Sequence, residues 1–242
     1  MKNKLAGQIA LVTGASRGIG KAISLMLAEQ GAQVIAAART QKDLDRFVGE
    51  IEQKGGLAQA IAFDLTSESS IIALAEKVRT DCGRLDILVN NAGVTHSAPL
   101  AETTTEDFDR VMATNIRGPY LLTREVLPLL KQSERGFIIN IASVVGVKGY
   151  ALQTAYTAGK HALRGMSIAL AEELRGTNIR VHVLCPGGVA TDMIARVRPD
   201  IPPETLMAPE EIAELVLYLV THEGNAVIDE LRIRRAVSAP WF

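Results

Sequence analysis

The sequence predicts an α/β fold: one doubly wound domain built on a parallel sheet of about seven strands, with helices on both faces. Two observations carry this prediction. Short β-branched runs alternate with longer amphipathic stretches along the chain. The composition is 48% hydrophobic but only 4% aromatic, and it draws mainly on Ala, Val, Ile and Leu, the mixture that helices packed on a parallel sheet require. A length of 242 residues suits a single domain of this class, spanning residues 1–242.

The elements follow in order. Ile9-Ala10-Leu11-Val12-Thr13 reads as a buried strand, followed by a helix from Gly18 to about Gln30 that Gly31 ends. The same unit recurs, with strands near residues 34–38, 58–63, 87–90, 137–141 and 180–185. Helical patterns lie near residues 44–54, 69–80, 105–131 and 154–174. Such alternation implies parallel strands joined by right-handed crossovers. Pro209-Glu210-Glu211 has the proline and acids favoured in a first helical turn, and that helix leads toward a seventh strand near residues 227–233. The Pro-rich stretch 198–203 is too short for a linker and reads as a surface loop.

Charge excludes some partners. Lys and Arg total 26 against 27 for Asp and Glu, a formal net charge of -1, so no global attraction to nucleic acid or anionic lipid is expected. No run approaches the roughly 18 apolar residues of a membrane helix, and the start lacks a signal-peptide pattern, so a cytoplasmic protein is expected. The two cysteines, Cys82 and Cys185, and the four histidines, His96, His161, His182 and His222, match no metal-ligand spacing. No metal is expected, the cysteines read as buried thiols, and His182 reads as a packed strand residue.

Between the first strand and its helix stands Thr13-Gly14-Ala15-Ser16-Arg17-Gly18-Ile19-Gly20. Glycines there permit a tight turn and let a pyrophosphate approach backbone N–H groups at the helix N-terminus. Further pieces follow: Asp64 after the third strand, Asn90-Asn91-Ala92-Gly93 after the fourth, then Asn115, Ser143, Tyr156-x-x-x-Lys160 and Pro186-Gly187-Gly188-Val189-Ala190-Thr191. As an ordered set, covering about residues 7–195, they resemble the short-chain dehydrogenase/reductase family, whose members have a Rossmann-type domain.

The resemblance implies an oxidoreductase that moves hydride between a nicotinamide cofactor and a carbonyl or alcohol. It implies that Gly14, Ser16, Arg17, Gly18, Ile19 and Gly20 take the pyrophosphate side and that Asp64 and Leu65 meet the adenine. Asn91, Ala92 and Gly93 would line the cofactor channel, with Pro186, Gly187, Val189 and Thr191 toward the nicotinamide. It further implies a homodimer or homotetramer built on the helices at 105–131 and 154–174, and substrate selection by the segment at about 191–207.

Cofactor choice can be argued from the second strand. An NAD site usually has an acid there for the ribose 2′-hydroxyl, whereas this strand ends Ala36-Ala37-Ala38-Arg39. Arg39 and Arg17 are suited to a 2′-phosphate, so NADP(H) is expected over NAD(H). The alternative is an NAD site in which Asp43 or Asp45 folds back to the ribose.

Tyr156 and Lys160 are four apart in a helical stretch, which places them on one face. A lysine cation within roughly 4–6 Å is expected to lower the tyrosine's titration and make it an acid and base. Ser143, after a strand, is placed to hydrogen-bond an oxygen that gains charge. Asn115 is a middling helix former expected to interrupt its helix, and the resemblance implies that it holds a water for relay to Lys160.

The reading is thus a carbonyl reductase, of ketone, aldehyde or 3-oxoacyl type. The alternatives are an NAD-linked alcohol dehydrogenase and a non-catalytic dinucleotide-sensing module. The chain departs from the family pattern at its end, where residues 225–242 replace the usual threonine-glycine turn and terminal Asp-Gly-Gly. Trp241 and Phe242 are apolar and are expected to pack on the domain or on another subunit.

Overall fold

The structure, a computed structural model, describes residues 3–240. Seven parallel strands, β1 (Ile9–Thr13), β2 (Gln33–Ala38), β3 (Leu57–Ala62), β4 (Ile87–Asn90), β5 (Gly136–Ile141), β6 (Ile179–Pro186) and β7 (Glu230–Ile233), form one sheet in the order β3-β2-β1-β4-β5-β6-β7. The order reverses between β1 and β4, and this switch point opens a crevice above the strands' C-terminal ends.

Alternation along the strands builds the two halves of the core. Ala10, Val12, Val34, Ala36, Val89 and Ile139 face α1 (Gly18–Glu29), α2 (Gln41–Gln53) and α8 (Pro209–Thr221), where Ile23, Leu27, Phe47, Ile51, Val216 and Leu219 are buried. Leu11, Ile35, Leu88 and Ile138 face α3 (Glu68–Cys82) and α5 (Gly118–Leu130), meeting Ile71, Leu74, Val78, Leu122 and Val126. A strand buried on both faces needs no polar positions, which is why β1 and β4 read as continuous apolar runs.

Two expectations are corrected, and one element was not foreseen. The single helix expected at 105–131 is α4 (Thr105–Met112) and α5, joined by a π-helical turn at Ala113–Arg117 that contains Asn115. The seventh strand begins at Glu230 rather than near 227, because the Ile228 carbonyl accepts a hydrogen bond from the His182 ring (2.7 Å) instead of joining the ladder. The segment after β6 contains a short helix, α7 (Asp192–Val197), that its sequence did not suggest.

His182 is packed, as expected, with its ring stacked on Phe137. Cys185 is buried and burial pushes its thiol up to about 11, whereas Cys82 is half-buried rather than buried. Among the described residues no helix is long and apolar enough to cross a membrane, and no cluster of three His, Cys, Asp or Glu side chains could hold a metal ion. Trp241 and Phe242 lie outside the described residues, so the packing expected of them has no counterpart here.

Candidate active site

The glycine-rich turn and the start of α1 form the floor of the crevice. Gly14 and Gly18 have positive φ (65° and 54°), which side chains other than glycine adopt at a cost. Space is as tight as conformation. A Cβ at Gly20 would lie 2.3 Å from the Gly14 carbonyl oxygen and 2.4 Å from Asn91 Nδ2, and one at Gly18 would meet Thr191 Cγ2 at 3.1 Å. Arg17 caps α1 without a side-chain hydrogen bond to the helix, and the first turn carries no acid, so its N–H groups and dipole favour an anion. Ser16 and Ile19 are half-buried in the same turn.

The loop after β4 is sewn to this turn. Thr13 Oγ1 accepts from the backbone N–H of both Asn91 and Ala92 (3.0 Å each), and Asn91 Nδ2 donates to the Thr13 carbonyl at 2.8 Å. Across the crevice, the segment after β6 approaches the turn through Thr191, and Arg17 lies 3.8 Å from Asp192, both exposed. The turn therefore has Asn91 and Ala92 on one side and Thr191 on the other.

At the far end of β2, Arg39 is exposed, and its charge helps hold the Asp64 carboxyl low. The larger cause is an Asx-type pair of hydrogen bonds, in which Asp64 Oδ1 accepts from Thr66 N and Thr66 Oγ1 (2.9 and 2.7 Å). Leu65 is buried beneath, close against Gly118. Asp43 is paired with Arg46, and Asp45 accepts from Gln41, so both acids offered as an NAD-type alternative are engaged along α2.

Ser143, Tyr156 and Lys160 converge at the mouth of β5. Ser143 Oγ donates to the Pro186 carbonyl (3.4 Å), accepts from Val145 N (3.3 Å), and is close enough to the Tyr156 phenol to favour its ionised form. Tyr156 and Lys160 share a face of α6 (Thr154–Glu173), with Lys160 Nζ 6.0 Å from the phenol ring centre and donating to the Ile141 carbonyl at 2.9 Å. Two glycines let α6 approach so closely: a Cβ at Gly146 would stand 3.0 Å from the Lys160 carbonyl oxygen, and one at Gly159 3.2 Å from Asn115 Cβ.

The electrostatics correct the expectation for Tyr156. Rather than being lowered by the lysine, its titration is pushed up to about 12, chiefly by burial, which outweighs the Ser143 hydrogen bond. Lys160 is lowered to about 8, again by burial. Removal from water disfavours both charged forms, and at this separation the attraction between them does not offset it.

Asn115 is fully buried, and the π turn aims its amide at the loop after β4: Oδ1 accepts from Val94 N (2.9 Å) and Nδ2 donates to Val94 O (2.8 Å). A Cβ at Gly93 would lie 3.2 Å from Asn115 Oδ1 and 3.3 Å from Lys160 Nζ, so Gly93 separates the two side chains. Sequence reasoning missed Thr13 and a buried polar chain, in which Asn90 Nδ2 donates to Thr123 Oγ1 and Asn140 Oδ1, and Asn140 Nδ2 to Ser167 Oγ. Polar residues inside apolar strands were the available signal, since each needs a buried partner.

The comparisons agree with this architecture. A family model described as short chain dehydrogenase matches residues 8–202. The chain is 37% identical over 237 residues to a 3-oxoacyl-[acyl-carrier-protein] reductase, FabG, of Thermotoga maritima, covering 94% of this chain and 96% of that one. A metagenomic short-chain oxidoreductase solved in complex with NADP superposes with a TM-score of 0.85 at 38% identity, covering 97% of this chain and 100% of the other. An alcohol dehydrogenase from the archaeon Thermococcus sibiricus, complexed with 5-hydroxy-NADP, gives a TM-score of 0.89 at 28% identity over 97% and 99%. With its all-parallel sheet, glycine-lined crevice and matching relatives, the chain belongs to the short-chain dehydrogenase/reductase family of NAD(P)-dependent oxidoreductases.

Proposed function

We propose that this chain is an NADP(H)-dependent reductase that converts a ketone, aldehyde or 3-oxoacyl carbonyl to an alcohol. The observation that carries the reading is the meeting of Ser143, Tyr156 and Lys160 beside a turn that admits no Cβ at Gly20 and holds Gly14 at positive φ.

The residues present fit a dinucleotide. Gly14, Ser16, Arg17, Gly18, Ile19 and Gly20 would hold the pyrophosphate, Arg39 with Arg17 the 2′-phosphate, and Asp64 with Leu65 the adenine. Asn91, Ala92, Gly93, Pro186, Gly187, Val189 and Thr191 would flank the nicotinamide, with Lys160 and Tyr156 at its ribose. When bound, the reduced nicotinamide supplies the hydride. The absence of an acid at the end of β2 and the engagement of Asp43 and Asp45 favour the phosphorylated cofactor, as do the NADP in the metagenomic relative and the 5-hydroxy-NADP in the Thermococcus one.

The chain's own residues supply the proton chemistry. Ser143 Oγ and the Tyr156 hydroxyl hydrogen-bond the carbonyl oxygen, and as charge grows there Tyr156 donates its proton. The phenol is protonated at neutral pH, as an unburied tyrosine is, and burial reinforces the form that reduction needs. Lys160, cationic below about 8 and fixed by the Ile141 carbonyl, stabilises the charge left on the tyrosine. Asn115 holds the Val94 loop against the site. The chain acts as a homodimer or homotetramer, for which exposed Phe108, Tyr120 and Ile168 on α4, α5 and α6 offer apolar surface.

Fluorescence titration with NADPH and NADH tests the cofactor, and a carbonyl panel on the wild type and Tyr156→Phe tests the chemistry. NADPH should bind roughly tenfold or more tightly than NADH, and Arg17→Ala/Arg39→Ala should lose that preference. Preference for NADH overturns the cofactor assignment, and undiminished turnover by Tyr156→Phe overturns the proton donor.

A further inference from the structure

Beyond β6 the chain makes an excursion over residues 190–206, closed at its neck by a parallel bridge between Val189 and Met207. Ala190 N donates to the Met207 carbonyl (2.8 Å) and Met207 N to the Gly188 carbonyl (3.1 Å). The segment after β7 lies against this neck, with Gly187 N donating to the Ile233 carbonyl at 2.8 Å. The side chain of Arg235 crosses Gly188: a Cβ there would stand 3.3 Å from Arg235 Cδ, 3.6 Å from its Nε and 2.9 Å from Leu206 Cδ2. Glycine at 188 therefore makes room for the arginine. The turn it crosses begins at Pro186, whose carbonyl accepts from Ser143 Oγ.

The arginines of this segment differ in what they do. Arg232 is paired with Glu230. Arg234 donates to the carbonyls of Arg235, Ala236 and Ser238, fastening the tail. Arg235 is half-buried, and the hydrogen bond described for its five donors is Nη1 to Thr205 Oγ1 at 2.9 Å. Among the described residues no carboxylate lies within 4.0 Å of it. Asp200, the acid whose titration it influences, is held by both Nε and Nη2 of Arg198. A guanidinium drawn partly out of water beside a candidate site, with one charge unmatched, is complementary to a singly charged planar anion.

We propose that Arg235 anchors a carboxylate on the substrate, so that the compound reduced is an oxo acid. This rests on the reductase reading above. Asp200 and Arg198 pair with each other, so neither competes with Arg235 for such an acid.

The test follows NADPH consumption with straight-chain oxo acids and their methyl esters. The wild type should prefer the acids. Arg235→Gln should raise KM for the acids roughly 10- to 100-fold while leaving the esters unchanged. Arg235→Lys should recover part of the loss, and Thr205→Val, which removes only the guanidinium's protein partner, should keep the preference. Equal losses on acid and ester in Arg235→Gln, or a wild type that prefers esters or other carbonyls, would overturn the proposal and leave Arg235 a clamp on the excursion. A wild type that reduces no carbonyl counts against the reductase reading instead. Calorimetric titration of the oxo acids into wild type and Arg235→Gln then decides the site, since heat lost only in the variant supports it, and absent or equal heats overturn it.

Discussion

Replacing Lys160 with methionine removes a charge that the fold holds under strain of solvation. The side chain is 4% exposed, and burial lowers its titration from 10.5 to about 8. Below about 8 the lysine is charged in both the folded and unfolded chain, and the folded state bears the cost of its desolvation. Above 10.5 it is neutral in both. Between the two, the unfolded chain binds a proton that the folded chain does not, so stability rises with pH through this window. The complete rise is about 3 kcal/mol, most of it between pH 7 and pH 10. Cys185, raised from 9.0 to about 11, contributes stability that is present below pH 9 and lost as pH rises through about 11, in the wild type and the variant alike, so it cancels in their difference. Tyr156 acts in the opposite sense, its contribution intact below pH 10 and lost as pH rises through about 12, so measurement stops at pH 10.

Lys160→Met also leaves the Ile141 carbonyl without its donor, which costs about 1–3 kcal/mol at every pH. The sign of the difference at one pH is therefore uninformative, and the slope carries the test. Urea unfolding followed by circular dichroism at steps from pH 7 to pH 10 should show the wild type gaining about 2–3 kcal/mol on Lys160→Met. A difference that stays constant across the range would refute the reasoning, because it would mean that the folded chain and the unfolded chain hold this lysine alike.

Gly20→Ala should lower stability by about 1–3 kcal/mol and weaken NADPH binding, since its methyl would overlap the Gly14 carbonyl oxygen and Asn91 Nδ2, backbone and pinned amide that cannot both yield; thermal melting and the fluorescence titration check both, and full binding by this variant would show that the turn does not hold the cofactor. Leu152 sits at φ 66° with its side chain 50% exposed, so Leu152→Gly should relieve left-handed strain without a packing loss. Urea midpoints should record a gain of about 1 kcal/mol, and a loss would mean that the leucine's contacts outweigh its backbone.

The fold was legible because burial on both sheet faces leaves a strong mark on composition: β1, β4 and β5 contain almost nothing polar, and the glycines that end or open helices sit where φ is positive. Asn140 is the exception inside β5, and its meaning comes from Asn90 across the β4–β5 pair and Ser167 above it, partners 50 and 27 residues away. The break at Ala113–Arg117 was visible only as a middling helix former at Asn115. A π turn inserts one residue into otherwise helical chain and has no composition of its own, and what pins this one is the pair of bonds between Asn115 and Val94, a tertiary contact. Residues 227–229 look strand-like for the same reason in reverse: the local pattern suits a strand, and the His182 ring takes the carbonyl that would have extended it.

Tyr156 and Lys160 show the limit most sharply. Their spacing places them on one face of a helix, as expected, yet sequence spacing carries no information about solvent, and solvent decides the sign of both shifts. An isolated helix in water would have let the cation lower the phenol. Packed by Gly146 and Gly159 against the core, the same pair is pushed toward two neutral groups. That environment suits a donor: a phenol that keeps its proton until the carbonyl oxygen takes it, beside an amine near its own titration point. The protonation state of the phenol therefore follows from the glycines that bring α6 close as much as from the tyrosine itself.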